Sequence, residues 1–272
     1  MINRRTLKKE IVFSGISLHK GLQTILSLIP SKNDNIKIMR KDLDKSFLLG
    51  EQEVFKSSLS SNIGVNDCQI GTVEHLFAAL HAFRITDLII EIDSPEVPIL
   101  DGSALLFSEQ IASTGIEELD DLISPLQVKE KIEIFDNDKY ISIEPNTGEL
   151  ELSYEIDFNH PKIGKQDFNI IITPESFVKE LAGARTFGFL KDFEALKKMH
   201  LALGASLNNV VALDESSILN ETGLRFSNEF ARHKALDLLG DLYLKGIPVC
   251  GKIKAKYAGH NLHHQLLEKI LY

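Results

Sequence analysis

The chain has 272 residues, 43% hydrophobic and 25% charged, with a formal net charge of −9. That length supports a sizeable core in one large or two modest domains. The acidic balance excludes a general nucleic-acid binder, which shows a basic surface. Only two cysteines occur, Cys68 and Cys250, which excludes a disulfide framework and favours a reducing compartment.

The opening MINRRTLKKEIVFSGISLHKG is basic, but its apolar run is short and broken by Ser and Gly, with no small-residue cleavage site after it. No apolar run approaches the length of a membrane span. A soluble, cytoplasmic protein without stable membrane insertion is expected. EIVFSGISL, TILSLIP and DNIKIMR read as short strands separated by Gly, Pro and Asn clusters. GTVEHLFAALHAF reads as a helix with Thr72 as N-cap, and TDLIIEID as a strand. SPEVPILDGSALLFSEQI reads as a two-proline loop entering a helix. Around ELDDLISPLQ the pattern weakens, and a domain boundary is placed near residue 124.

Strands return in KIEIFD, YISIEP, ELELSYEIDF and DFNIIIT. PESFVKELAG reads as a helix leading to GARTFGF. A helical DFEALKKMHLAL, a strand VVAL, a helix at 228–245, a strand GKIKAKYAGH and a closing helix LHHQLLEKIL follow. No internal repeat is visible. The mixed order of strands and helices favours α+β layers over a doubly wound sheet.

Within the helix at 228–245, His233, Asp237 and Asp241 recur at i, i+4 and i+8 and share one face, with Lys234 about 100° away. A plain solvated face gives the same pattern. Two features point elsewhere. Asp is a poorer helix former than Glu, and Gly240 sits mid-helix at a cost of roughly 1 kcal/mol against Ala. A glycine there implies that something approaches the backbone closely. In GTVEH, Glu74 and His75 lie in the first helical turn, where the helix dipole favours ionised Glu74 and neutral His75. His81 lies about 240° around the helix and cannot share a ligand with His75. His75, His233 and Asp237 form an N/N/O set that suits a catalytic zinc with an open position, and equally a non-haem iron centre. Glu74 beside a ligand tilts toward hydrolysis.

TVEHLFAAL, PEVPILDGSA, ARTFGF, NETGLRFSNEFARHKALDLLGDLYLKG and AGH, in that order, closely resemble the UDP-3-O-acyl-N-acetylglucosamine deacetylase family of lipid A synthesis in Gram-negative bacteria. The resemblance runs over essentially the whole chain. It implies two similar α+β domains, 1–124 and 125–272. Each would be a two-layer sheet/helix sandwich with a small insert, near 37–62 and 187–205, and the active site would lie between them. It also implies one catalytic Zn2+ on His75, His233 and Asp237, with Glu74 as general base and His260 as general acid. Asp241 would orient His260, Thr186 would help hold the oxyanion, and Lys234 would face substrate oxygens. His19 would lie near the substrate UDP-3-O-acyl-GlcNAc, and Phe187, Phe189, Phe193 and Leu196 would line a slot for its acyl chain. A monomer is expected.

The chain departs from the family in two places. Tyr257 stands where relatives carry a basic residue, and GHNLH replaces GHxLN, which puts His263 in an unassigned place. Lys252, Lys254 and Lys256 read as a solvated strand edge, and His160, His200 and His264 as surface residues.

Overall fold

The structure, a computed structural model, describes residues 1–32, 35–55 and 59–271. The fold is α+β. The first half opens with β1 (Ile2–Leu7), β2 (Ile11–Ile16), β3 (Gln23–Pro30), β4 (Ile36–Arg40) and β5 (Lys45–Leu48). β6 (Glu53–Phe55), β7 (Asn62–Val65) and β8 (Cys68–Ile70) form a small sheet of their own. Then come α1 (Glu74–Phe83), β9 (Leu88–Ile92), α2 (Leu105–Thr114) and β10 (Ile116–Ile123). The acidic stretch read as weak pattern is therefore a strand, and β10 pairs antiparallel with β1.

The second half holds β11 (Leu126–Gln127), β12 (Ile132–Asp136), β13 (Lys139–Glu144), β14 (Glu151–Phe158) and β15 (Gly164–Ile171). The expected helix PESFVKELAG is a single turn, α3 (Pro174–Ser176), capped by Thr173 and running into a π-helical turn at Phe177–Leu181. β16 (Phe187–Phe189), α4 (Leu190–Lys198) and β17 (Val211–Leu213) follow. The chain ends with α5 (Glu229–Asp241), β18 (Val249–Cys250), β19 (Lys252–Lys256) and α6 (His260–Leu271).

Two five-stranded sheets carry the architecture, in the orders β2-β3-β9-β4-β5 and β12-β13-β19-β14-β15. Both have the same pairing pattern, antiparallel except for one central parallel pair, β4 with β9 and β14 with β19. No internal repeat is visible in the residues, but the similar topology that the family resemblance implies is plain in the two sheets. Each sheet buries one face, as period-2 alternation requires. Leu26, Leu28, Ile36, Ile38 and Ile90 are buried on the first sheet, and Ile141, Ile143, Leu152, Tyr154 and Ile253 on the second. α2 lies against β2, α5 and α6 cover the second sheet, and α1 packs on α5.

Three expectations need correcting. The insert placed at 37–62 begins too early, because 36–48 supply two strands of the main sheet; residues 56–58 of that range lie outside the described residues. The range expected for a second insert, 187–205, holds β16 and α4 but stops short of β17 at 211–213, with which β16 pairs. Lys252, Lys254 and Lys256 lie on a central strand, not an edge; they face outward, and Lys252 and Lys256 pair with Glu151 and Glu155.

Candidate active site

α1 and α5 supply most of the site, and both are deeply buried. All ten α1 residues are buried, as is all of α5 except Arg232 and Lys234. The solvated-face reading of α5 is therefore wrong. Its polar stripe faces inward, His233 and Asp237 toward His75 of α1 and Asp241 toward His260 and His263 of α6. Gly240 explains how the two helices come so close: a Cβ there would collide with the Glu74 carbonyl group. The N-terminus of α1 is not capped as expected. The helix starts at Glu74 with Val73 as N-cap, and Thr72 adopts a left-handed φ of 55° and donates its hydroxyl to Glu96.

His75, His233 and Asp237 converge. Asp237 Oδ1 lies 3.3 Å from His233 Nε2 and 3.8 Å from His75 Nε2. The two rings stand perpendicular with centroids 5.0 Å apart, and one donor atom from each residue falls within 4.8 Å of the others. Donors held about 2.1 Å from one tetrahedral ion stand about 3.4 Å apart, so the set fits a small divalent cation. Its protonation fits as well. His233 donates Nδ1–H to the Ala184 carbonyl at 3.1 Å, which leaves Nε2 a bare lone pair toward the centre. Burial, then His233, lowers the His75 pKa to about 3, and burial lowers that of His233, so both rings are neutral at pH 7. Burial opposes the charge on Asp237, but the surrounding imidazoles and the Lys234 ammonium outweigh it and hold the carboxyl well below its ordinary range. His75 Nδ1 is buried with no partner among the described residues.

Beside this set lie two groups suited to proton transfer. Glu74 is buried and accepts the Ser61 backbone N–H at 3.0 Å. Burial pushes its pKa up to about 8, with His260 pulling the other way. His260, the first residue of α6, bonds Asp241 Oδ2 through Nδ1 at 2.7 Å. Burial works to lower the His260 pKa, but Asp241 more than offsets it and raises it to about 9. His260 therefore carries its proton at neutral pH. A cleft of about 720 Å³, lined by His260, His264, Val54, Asp136 and Lys139 among others, opens beside it.

The chain is similar to known proteins over nearly its whole length. The family model for UDP-3-O-acyl N-acetylglycosamine deacetylase matches residues 4–272. The chain belongs to this deacetylase family. Relatives named UDP-3-O-acyl-N-acetylglucosamine deacetylase include one from Helicobacter pylori, 39% identical over 271 residues, covering 99% of this chain and 92% of the relative. One from Aliivibrio fischeri is 41% identical over 277 residues, covering 100% of this chain and 90% of the relative. One from Myxococcus xanthus is 42% identical over 272 residues, covering 99% and 86%.

Lys234 Nζ bonds Asp237 Oδ2 at 2.7 Å, and 23% of its side chain remains exposed. Thr186 is half-buried and tied by its backbone to Gly102 and Val211. The Phe187 ring lies 6.2 Å from that of His233 and 4.9 Å from that of Phe230. Phe187 and Phe189 pack on the core, whereas Phe193 and Leu196 are half-buried on α4 and stand outside it. His19 accepts the Ala202 N–H at Nδ1, and its Nε2 is buried without a partner among the described residues. Tyr257 adopts a left-handed φ of 53° beneath the Lys256 ammonium.

Two histidines read as surface residues are not. His160 is buried and bonds the Asp214 carbonyl, and His264 is only 13% exposed and contacts Ser61 Oγ at 2.8 Å; His200 is exposed. His263 is fully buried and bonds Asp241 Oδ2 at 2.7 Å and the Tyr154 hydroxyl at 3.0 Å. Asp241, His260 and His263 also cluster within metal-ligand distance, but both imidazoles spend Nδ1 on the carboxylate. His81 uses both nitrogens on backbone groups, Leu239 and Val249.

Proposed function

We propose that the protein hydrolyses the acetamide of UDP-3-O-acyl-N-acetylglucosamine to the free amine and acetate, the committed step of lipid A biosynthesis in the cytoplasm, acting as a monomer. The observation that carries this reading is the flanking of one N/N/O donor set by a buried Glu74 carboxyl group and a protonated imidazole. A two-domain division at residue 124 places Glu74 and His75 in one half and His233, Asp237 and His260 in the other. Among the described residues no helix is long and apolar enough to cross a membrane.

His75, His233 and Asp237 would hold one zinc ion. Bound there, zinc supplies Lewis acidity that brings water deprotonation near pH 7 and polarises an amide carbonyl. Glu74 takes the proton of the attacking water, and such general-base help is typically worth about 10²–10⁴-fold. Thr186 donates to the oxygen that gains charge as the carbonyl carbon turns tetrahedral. His260 then delivers its proton to the departing nitrogen, so the sugar leaves as an amine rather than an amide anion. Asp241 holds the ring in the orientation and charge state that this delivery needs. Lys234 fixes Asp237 through one oxygen and leaves the other for the cation. Phe187, Phe189, Phe193 and Leu196 receive the acyl chain, and His19 lies at the substrate's edge.

Metal content and acetate release from the UDP-sugar, measured together on the wild type and on His233→Ala, test the reading. The expected result is about one zinc per wild-type chain with acetate release, and loss of both in His233→Ala. Iron content with oxygen uptake and no acetate would select an iron enzyme on the same three residues. Absence of bound metal would reject both.

A further inference from the structure

Ser61 is fully buried, and no step above uses its side chain. It touches both proton-handling groups of the site. Its backbone N–H donates to Glu74, and its hydroxyl donates to Asp241 Oδ1. A serine hydroxyl has one hydrogen. With that hydrogen spent on the carboxylate, the 2.8 Å contact with His264 Nε2 runs the other way, from ring N–H to Ser61 Oγ. The oxygen also lies 3.5 Å from His260 Nδ1.

We propose that Ser61 is a positioning residue that pins the Asp241 carboxylate, and through it the His260 imidazole, in register with Glu74. The inference rests on the deacetylase reading for its catalytic consequence. Asp241 spends Oδ2 on two imidazoles, His260 and His263, and Oδ1 on Ser61. Without the hydroxyl, Oδ1 loses its close donor and keeps only His264 Nε2, 3.6 Å away. That separation is too long for a good hydrogen bond, and a buried carboxylate oxygen so weakly paired is costly, so Asp241 rotates to close the gap to His264. Rotation of Asp241 carries the His260 ring with it. The loop itself stays anchored, because the Ser61 N–H still meets Glu74 and its carbonyl still accepts the Val73 N–H.

Ser61→Ala and Ser61→Thr, compared in the zinc-loaded protein, test the role. Ser61→Ala should lower kcat about 10- to 100-fold, as loss of a hydrogen bond to a charged group implies, with KM within about twofold. Ser61→Thr, which keeps the hydroxyl, should restore most of kcat. In the free protein, the downfield proton NMR signal of His260 Nδ1–H against Asp241 should move upfield in Ser61→Ala and return in Ser61→Thr. A Ser61→Ala variant with kcat within twofold of wild type and an unmoved signal would overturn the proposal, as would equal losses in both variants. The NMR signal needs no substrate, so it decides on Ser61 even if the wild type releases no acetate, a result that would overturn the deacetylase reading instead.

Discussion

Glu74 and His260 are two titratable side chains that the interior pushes in useful directions for different reasons. Burial raises Glu74 to about 8. Asp241, outweighing burial, raises His260 to about 9. The base must be ionised and the acid protonated, so the rate should climb as Glu74 loses its proton and fall as His260 loses its own. A dication on His75 favours ionised Glu74 and draws the ascending limb below 8. The expected pH–rate profile is therefore a bell whose descending limb lies near 9. Acetate release measured from pH 5 to 10 checks it, and a flat profile from pH 5 to 9 would count against both assignments. At this scale the sequence was informative where residues recur at helical spacing. His233, Asp237 and Asp241 at four-residue intervals face one way on any helix, and Gly240 announced a close approach. His263 and His264, three and four residues after His260, were open to the same argument. Ser61 was not. It comes from a loop 180 residues away from Asp241 in the chain, and no local pattern marks a serine that meets its partner only in the folded protein.

Among the elements, the contact of α1 with α5 sets the geometry of the site. Their main chains meet at Gly240, so the spacing of His75 from His233 does not depend on flexible side chains. Gly240→Ala adds helix propensity worth roughly 1 kcal/mol but forces a methyl group into the Glu74 carbonyl. Overpacking of this kind costs about 1–3 kcal/mol. A lowered melting temperature together with weakened metal binding is expected; a variant as stable as wild type with full metal content would show that the helices have slack. The α4 helix is the opposite kind of element, with none of its residues buried. Leu196→Ala there should weaken long-chain substrates more than short ones, and equal KM changes for both would remove Leu196 from the acyl slot. Element types were mostly readable from periodicity, but ends and caps were not. Thr72 has the right residue type for an N-cap, yet its hydroxyl goes to Glu96 and leaves the helix to start one residue later than a Thr72 cap would place it. The turn at Phe177–Leu181 winds as a π-helix that no composition signal marks.

Over the whole molecule, the layered α+β class followed from the mixed order of strand and helix patterns, whereas the matching of the two sheets did not. The two strand sets share one order despite unlike sequences, and in each the alternation of side chains, not their identity, selects the buried face. The site draws on both sets, so a cation bound there links them and stabilises the native state by mass action. At a free concentration of 100 times Kd the gain is about 2.7 kcal/mol, roughly 5 °C in melting temperature for a chain of this size. Calorimetry of zinc-loaded and chelator-stripped protein checks this, and identical transitions would mean that the three side chains hold no ion.

The matched strand orders have a further consequence. In a symmetric dimer of identical subunits, whatever one protomer brings to the shared axis the other must bring too. Here the two equivalent units are joined in one polypeptide, and that rule lapses. α1 and α5 precede equivalent central strands, yet one begins with Glu74 and His75 and the other carries His233, Asp237 and Asp241. Covalent linkage lets two sheets of the same strand order bring different side chains to one site, an asymmetry that a homodimer cannot have.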